Sequence, residues 1–499
     1  MDTEVEIKFF VSKKAGEKLP ELLGNHQVCT QNKHVLQNVY FDTRERTLKK
    51  HGIGLRVRSH DGKNEQTIKL TGSVVGGLHQ RPEYNEPIDG IQPELARFKA
   101  DIWPDELDIT QIQADLVPIF SNDFTRQTWL VEMDEEGLVE VAFDSGKLSC
   151  KGQEEKICEV ELELLKGHPG LLFTLAHDMA ALPGARLVNI SKAARGYLLS
   201  SQTLPELHSL DIVPLSAQST IIDAVSQTVS TALQHWQYHE HLYLQHRLDA
   251  LSHMRDGVNL LHQTLLIYAP YLPQSLPISW LADLNWLSSK LKCIDRYQAL
   301  TRLMDEQGRY IKKLDKVKPL KQFLKQELKA LPQYKQMKRL FTSERYCSLI
   351  LDISQWLVML AKLPSENHDL VLHEFAHQAI EQSWQELSNS ALVMGEELTA
   401  SQYIVLEGLL NRNLMVGTCL SGLFASQARD DFRLPWLDIL HGIAELKVLT
   451  PIYDYLELEQ DAATQEKILK WLKRKESSLV LVMEQSRLQA KSLGNYYWS

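Results

Sequence analysis

Glu4-Val5-Glu6-Ile7-Lys8-Phe9, close to the start of the chain, alternates charged and apolar side chains at every step. In an extended strand, residues two apart point to the same side, so Glu4, Glu6 and Lys8 share one face and Val5, Ile7 and Phe9 the other. A single strand of this kind is most simply one with a solvated outer face. Here the pattern returns along the first two hundred residues. Arg56 and Arg58 share a face, as do Glu65 and Lys69, Arg81 and Glu83, Glu140 and Asp144, and the trio Glu159, Glu161 and Glu163.

Strands are expected near 3–11, 34–41, 53–60, 65–71, 78–86, 124–133, 138–145, 154–165 and 186–190, with short helices near 13–23, 44–50, 92–99 and 169–182. Asp61-Gly62-Lys63, Gly76-Gly77, Glu136-Gly137 and Ser145-Gly146 supply the tight turns that hairpins need. About eight hairpin-linked strands favour an antiparallel sheet closed on itself, because closure removes exposed edges. If the apolar faces pack outward against helices, the charged faces line the lumen. Burying such charges costs several kcal/mol per ion unless carboxylates meet cations, metal or a polyanion.

Both signs are present. Glu4, Glu6, Glu159 and Glu161 suit a hard divalent cation such as Mg²⁺ or Mn²⁺. Lys8, Arg56, Arg58, Lys69, Arg81, Arg126 and Lys192 suit phosphate oxygens through charge-assisted hydrogen bonds. Arg81 also fits an interstrand ion pair. Tyr40 and Asp42 read as a packed aromatic and a helix cap.

The chain of 499 residues exceeds what one core of about 250–300 residues accommodates, so two domains are expected. The break is placed at 205–218, between strand-rich residues 1–204 and helix-rich residues 219–499. The fold class is therefore α+β in two domains, an eight-stranded antiparallel β barrel with flanking helices and then an all-α bundle. Six scattered cysteines without a CxxC pair argue against a disulfide framework or a thiolate zinc site. The start lacks a signal-peptide pattern, and no stretch is long and apolar enough to span a bilayer. A cytoplasmic location without membrane attachment is expected. A formal net charge of −10 speaks against nucleic acid as a partner of the whole molecule.

Eight motifs in register across residues 4–192 carry a resemblance. They are Glu4-Val5-Glu6-Ile7-Lys8, Tyr40-Phe41-Asp42-Thr43, Leu55-Arg56-Val57-Arg58, Thr67-Ile68-Lys69-Leu70, Arg81-Pro82-Glu83, Asp144-Ser145-Gly146, Glu159-Val160-Glu161-Leu162-Glu163 and Ser191-Lys192. Together they resemble the CYTH superfamily, the triphosphate tunnel metalloenzymes, whose first motif is ExExK. The resemblance implies an eight-stranded tunnel and metal-dependent hydrolysis or cyclisation of triphosphate-bearing substrates. It implies metal ligands at Glu4, Glu6, Glu159 and Glu161, with Asp144 and Glu163 as further candidates. It also implies a phosphate cradle of Lys8, Arg56, Arg58, Lys69, Arg126 and Lys192. The leading expectation is hydrolysis of inorganic triphosphate to pyrophosphate and phosphate by an attacking water. Adenylyl cyclase and thiamine or nucleoside triphosphatase activity would use the same tunnel.

An all-helical partner after such a domain resembles the CHAD domain, a family associated with polyphosphate. Where that family carries a dense arginine run, Leu251-Ser252-His253-Met254-Arg255-Asp256 offers one arginine followed by an acid. Further on, twelve basic residues fall between Thr301 and Leu340 against four acids; Arg309, Lys312, Lys313 and Lys316 are among them. Lys321, Lys325 and Lys329 recur every four residues, so one helix face forms a cationic stripe open to polyphosphate or simply to water. A rival motif is His373-Glu374-Phe375-Ala376-His377, which matches HExxH with Glu396 or Glu397 downstream. A core-packed helix bearing two histidines explains it equally well.

Overall fold

The structure, a computed structural model, describes residues 2–134, 136–201, 205–272, 278–305, 311, 317–360, 371–391, 397–493 and 496–498. It divides into two compact units, Met1–Glu206 with Lys338–Met359, and Leu207–Met337 with Leu360–Ser499.

The first unit is organised on β1 (Asp2–Phe10), β2 (Gln27–Asp42), β3 (Gly54–His60), β4 (Lys63–Lys69), β5 (Ser73–Val75), β6 (Leu78–Ile88), β7 (Val117–Met133), β8 (Gly137–Cys150), β9 (Gln153–Lys166) and β10 (Arg186–Leu187). They lie in the order β10-β1-β9-β8-β7-β2-β3-β4-β6-β5, and β1 pairs a second time with β6. Eight antiparallel strands thus close into the expected barrel, with β5 and β10 as short additions. Three strands, β2, β7 and β8, run longer than the alternation indicated. The first half of β2, from Gln27, is exposed on both faces and pairs with β7 back to Glu132. A ribbon without a buried face carries no hydrophobic period to read.

The apolar faces point outward, as the sign of the alternation requires. Ile7, Phe9, Val141, Val160 and Leu162 are fully buried, in the layer between the barrel and the helices Lys13–Leu23 and Gly170–Ala180. At Gly16 a Cβ would stand 2.2 Å from the Phe143 ring, so glycine lets the first helix lie flat on β8. Over β3 and β4 the cover is a cluster including Phe41, Leu48, Leu55, Ile68, Phe98 and Ile102.

Asp42, at the end of β2, accepts hydrogen bonds from the amides of Thr43 (2.8 Å), Leu48 (2.9 Å) and Lys49 (3.1 Å) and from the Tyr197 hydroxyl (2.8 Å). It satisfies the open amides of the short helix Thr47–Lys50 and ties that helix to Lys192–Ser201. That second helix carried no clear periodic signal.

The second unit is helical throughout its described elements, from Ile221–Leu244 to Ala462–Ser492. The 3.6-residue period of the sequence puts helices near 219–247, 249–269, 276–290, 293–314, 319–330, 343–362, 368–390, 399–411, 435–448 and 463–492, and most of the described helices overlap these ranges. Tyr334–Phe341 and Thr450–Leu458 were not expected. Residues 207–218 belong to this unit, and the Val213 amide donates to the Thr418 carbonyl at 3.0 Å. Among the described residues no helix is long and apolar enough to cross a membrane.

Replacing Asp42 by Ala strands several buried donors and is expected to cost about 2–3 kcal/mol of stability. Chemical denaturation of Asp42→Ala beside wild type checks this; a change within about 0.5 kcal/mol would contradict the role.

Candidate active site

The strand registers stack the charged residues in layers across the lumen. Glu6 pairs with Glu163, Lys8 with Glu161, Glu4 with Arg81, Lys69 with Glu83, Arg126 with Asp144, and Asp144 with Glu159. A cavity of about 930 Å³ occupies the barrel. Glu4, Glu6, Lys8, Arg56, Arg58, Lys69, Arg81, Arg126, Glu161, Glu163 and Lys192 all line it. Asp144 and Glu159 do not reach its wall; they are buried behind Lys192.

Three groups of contacts order the lumen. Lys69 Nζ bridges Glu4 (2.6 Å) and Glu83 (2.7 Å), and Arg56 reaches Glu83 at 3.5 Å. Lys8 Nζ lies between Glu6 (2.7 Å) and Glu161 (3.0 Å). Lys192 Nζ meets Asp144 (2.8 Å), Glu161 (2.9 Å) and Glu159, while Arg126 holds Asp144 at 2.7 Å and Glu161 at 2.5 Å. Asp144, Glu159 and Glu161 present oxygens within 4.8 Å of one another, a spacing compatible with a cation. Lys192 reaches all three of them, with Arg126 and Arg195 on their flanks.

Balance is incomplete on two walls. Burial, then the neighbouring carboxylates Glu4 and Glu6, push the Glu163 carboxyl up to about 7. Burial, with Glu161 and Glu4, also raises Glu6 despite Lys8 beside it. Arg58 departs the opposite way. Burial, then the guanidiniums of Arg56 and Arg126, pull it down to about 9. Its Nε donates to Asn38 Oδ1 at 2.9 Å, and Asn38 in turn donates to Asn122 Oδ1 at 2.7 Å. Carboxylates crowded on β1 and β9 want a further cation, and guanidiniums crowded on β3 and β7 want an anion. Hard oxygen donors in that carboxylate group fit a divalent metal ion.

Several lumen residues carried too little signal to be singled out. Asn38 is a neutral amide on a strand that carries no charged alternation. Arg195 is almost fully buried, with Glu155 at 2.7 Å and Glu159 at 3.2 Å. It follows Lys192 at helical spacing, a cue that was available. Tyr40 stacks on Phe120 at 4.4 Å and also lines the cavity, so it is more than packing. Arg81 faces the cavity with its guanidinium hydrogen-bonded to His79 Nδ1 at 3.2 Å.

Residues 2–197 match the CYTH domain family, and residues 227–470 match the CHAD domain family. The chain carries a CYTH domain followed by a CHAD domain. It is 37% identical over 201 residues to the inorganic triphosphatase of Haemophilus influenzae, which covers 40% of this chain and 55% of that protein. The chain thus spans about half the length of that curated relative. Among solved structures, the CHAD domain of the plant Ricinus communis is similar at 17% identity, covering 58% of this chain and 97% of that one, with a TM-score of 0.46. HpAC1 from Hippeastrum, described as having a dominant triphosphatase activity, is 19% identical over 40% of this chain and 97% of its own, with a TM-score of 0.31.

In the CHAD half, Lys321, Lys325 and Lys329 stand exposed along one side of the helix Val317–Ala330, whose Leu320 and Leu324 are buried. Arg309, Lys312, Lys313, Lys316 and Glu396 lie outside the described residues. His373 and His377 are both exposed on Leu372–Ala391, with His373 against the Phe424 ring at 4.9 Å. Among the described residues neither joins a metal-capable group. The helix carrying HExxH is accounted for by its packing, with Phe375 and Ala376 buried.

The crowding of carboxylates in the CYTH lumen has a pH signature. Because the folded-state pKa of Glu163 lies above its unfolded value, its ionisation weakens the metal-free fold as pH rises from about 4.5 through about 7. Glu163→Gln is expected to raise the melting temperature of chelator-treated protein near pH 8 and to leave it nearly unchanged below about pH 4.5. Thermal melts at the two pH values decide; equal effects at both would remove the electrostatic cause.

Proposed function

We propose that the CYTH lumen hydrolyses inorganic triphosphate to pyrophosphate and phosphate, in the cytoplasm, with Mg²⁺ or Mn²⁺. The observation that carries this reading is the paired imbalance of the lumen. Glu6 and Glu163 are over-provided with negative charge, and Arg58 with positive charge, around one cavity of about 930 Å³. A divalent cation relieves the first and a polyphosphorylated anion the second. The identity shared with the Haemophilus influenzae triphosphatase over this same half of the chain supports the choice of triphosphate.

Glu4, Glu6, Glu161 and Glu163 would hold the metal through oxygen, with Asp144 and Glu159 behind them fixing Lys192. When bound, the cation supplies charge neutralisation and an activated water. Lys8, Arg56, Arg58, Lys69, Arg81, Arg126 and Lys192 bind phosphate oxygens and neutralise charge that builds up as the terminal P–O bond breaks. Most of these cations are held by lumen carboxylates. Substrate binding is therefore an exchange of partners: phosphate oxygens take over the cations as carboxylates turn to the metal. Asn38 keeps Arg58 oriented without neutralising it, leaving its full charge for the substrate.

The assay is phosphate release from triphosphate with Mg²⁺ or Mn²⁺, with ATP and thiamine triphosphate as competitors. Wild type should be active, Glu4→Ala with Glu6→Ala inactive, and Arg58→Ala reduced by about 10²-fold in kcat/KM. Inactive wild type, or a fully active double variant, would sink the reading. Preference for ATP with cyclic product would move it to a cyclase.

The exposed lysine stripe on Val317–Ala330 favours a second role, polyphosphate binding by the CHAD half. Changing Lys321, Lys325 and Lys329 together to Gln should weaken retention of the full-length protein on a polyphosphate matrix and flatten its salt dependence. Unchanged elution would leave the stripe as a solvated face.

A further inference from the structure

Two lumen arginines are held by neutral partners instead of carboxylates. Arg58 has Asn38, and Arg81 has His79. His79, Arg81, Glu83 and Asn85 alternate along β6 and so share one face of the strand. Arg81, Glu83 and Asn85 line the cavity, whereas His79, first in the row, is fully buried and does not reach its wall.

The backbone fixes how this imidazole works. β10 runs beside β1 with Leu187 opposite Phe9, and the Val188 amide donates to the Lys8 carbonyl at 2.9 Å. That pairing brings the Val188 carbonyl to 2.8 Å from His79 Nε2. A carbonyl only accepts, so Nε2 carries the proton. The Arg81 guanidinium, 3.2 Å from Nδ1, only donates, so Nδ1 carries the lone pair. The two partners together define one neutral tautomer. Burial, then the charges of Lys8 and Arg81, hold the ring down to about 3, in keeping with that state.

Arg81 is confined on another side as well. A Cβ at Gly72 would stand 2.8 Å from Arg81 Cγ and 1.8 Å from the Gln80 carbonyl, so the chain entering β5 lies directly on the arginine's stem. By register Arg81 stands opposite Glu4, and Glu83 follows it two residues on. Lys69 takes Glu4, and Lys69 with Arg56 takes Glu83; among the described residues Arg81 forms no ion pair. A guanidinium released from its acceptor would turn to those carboxylates and give up its charge to them.

We propose that His79 is a positioning residue for substrate binding: as a neutral acceptor it aims the Arg81 guanidinium into the lumen and keeps it from the carboxylates. The full charge of Arg81 is then left for a phosphate oxygen. A carboxylate in the place of His79 would hold the arginine more tightly and neutralise it. His79 acts through Arg81, not on the reacting atoms, and the inference rests on the triphosphatase reading of the lumen.

A double-mutant cycle on the full-length protein, read by steady-state hydrolysis of triphosphate with Mg²⁺, tests this. His79→Leu, which keeps bulk and removes the acceptor, should raise KM about tenfold with kcat within about twofold, and Arg81→Ala should do the same. In the Arg81→Ala background His79→Leu should change KM by less than about twofold, because nothing remains to be aimed. His79→Gln, whose amide both donates and accepts, should recover most of the loss. Active wild type with an unchanged KM in folded His79→Leu, or with the whole effect persisting without Arg81, overturns the role of His79 alone. Inactive wild type overturns the triphosphatase reading and this role with it. If His79→Leu does not fold, ¹⁵N spectra of histidine-labelled protein take its place, with His79→Gln identifying the resonances. Nδ1 of His79 should then carry the lone pair and shift in Arg81→Ala; a protonated Nδ1, or a resonance indifferent to Arg81→Ala, overturns the role.

Discussion

The second pairing of β1, with β6 as well as β9, is the constraint on which the rest of the first unit depends. It closes the ring, and closure forces one face of each of eight strands into a shared interior. In an open sheet Glu4, Glu6 and Lys8 would face water and cost nothing. Inside the ring each must find a counter-charge, because an unpaired buried ion costs several kcal/mol. The lumen's network of bridged lysines and arginines follows from that requirement, and so does the leftover imbalance that makes it a site.

The outer layer is the other half of the same bargain. Turning charged faces inward puts Ile7, Phe9, Val160 and Leu162 on the outside of the barrel, where only a coat of helices can shield them. The helices Lys13–Leu23 and Gly170–Ala180 do so, and Gly16 shows how close the coat lies. The helix Lys192–Ser201 has a different duty. It delivers Lys192 and Arg195 to the carboxylates Asp144, Glu159 and Glu161, and Asp42 anchors it through Tyr197. A structural cap and a cavity-lining lysine are thereby linked.

In the CYTH domain, oxygen ligands and guanidiniums are mixed within one charged cavity, fitting hard cations and phosphate. Neutral acceptors, Asn38 at Arg58 and His79 at Arg81, hold two of those guanidiniums without discharging them.

The closed barrel, the two-part division of secondary structure and most of the lumen's charges were legible in the sequence. A period of two with charges on a single face can be reconciled with burial in few ways, and repetition across six segments selects among them. The sequence alone also pointed to Asp42 as a cap and to the lysine stripe as a helix face, since the amides Asp42 caps and the lysines of the stripe are near one another along the chain. Tertiary structure decided the remainder. Which carboxylates reach the cavity, and which sit behind Lys192, depends on register between strands distant in sequence. The partnership of Asn38 with Arg58, and of His79 with Val188, depends on chain segments brought together only by folding. Residue type and spacing set what a side chain is able to do, whereas its partners, and hence its charge, are set by which other segments the closed fold places within a few ångströms.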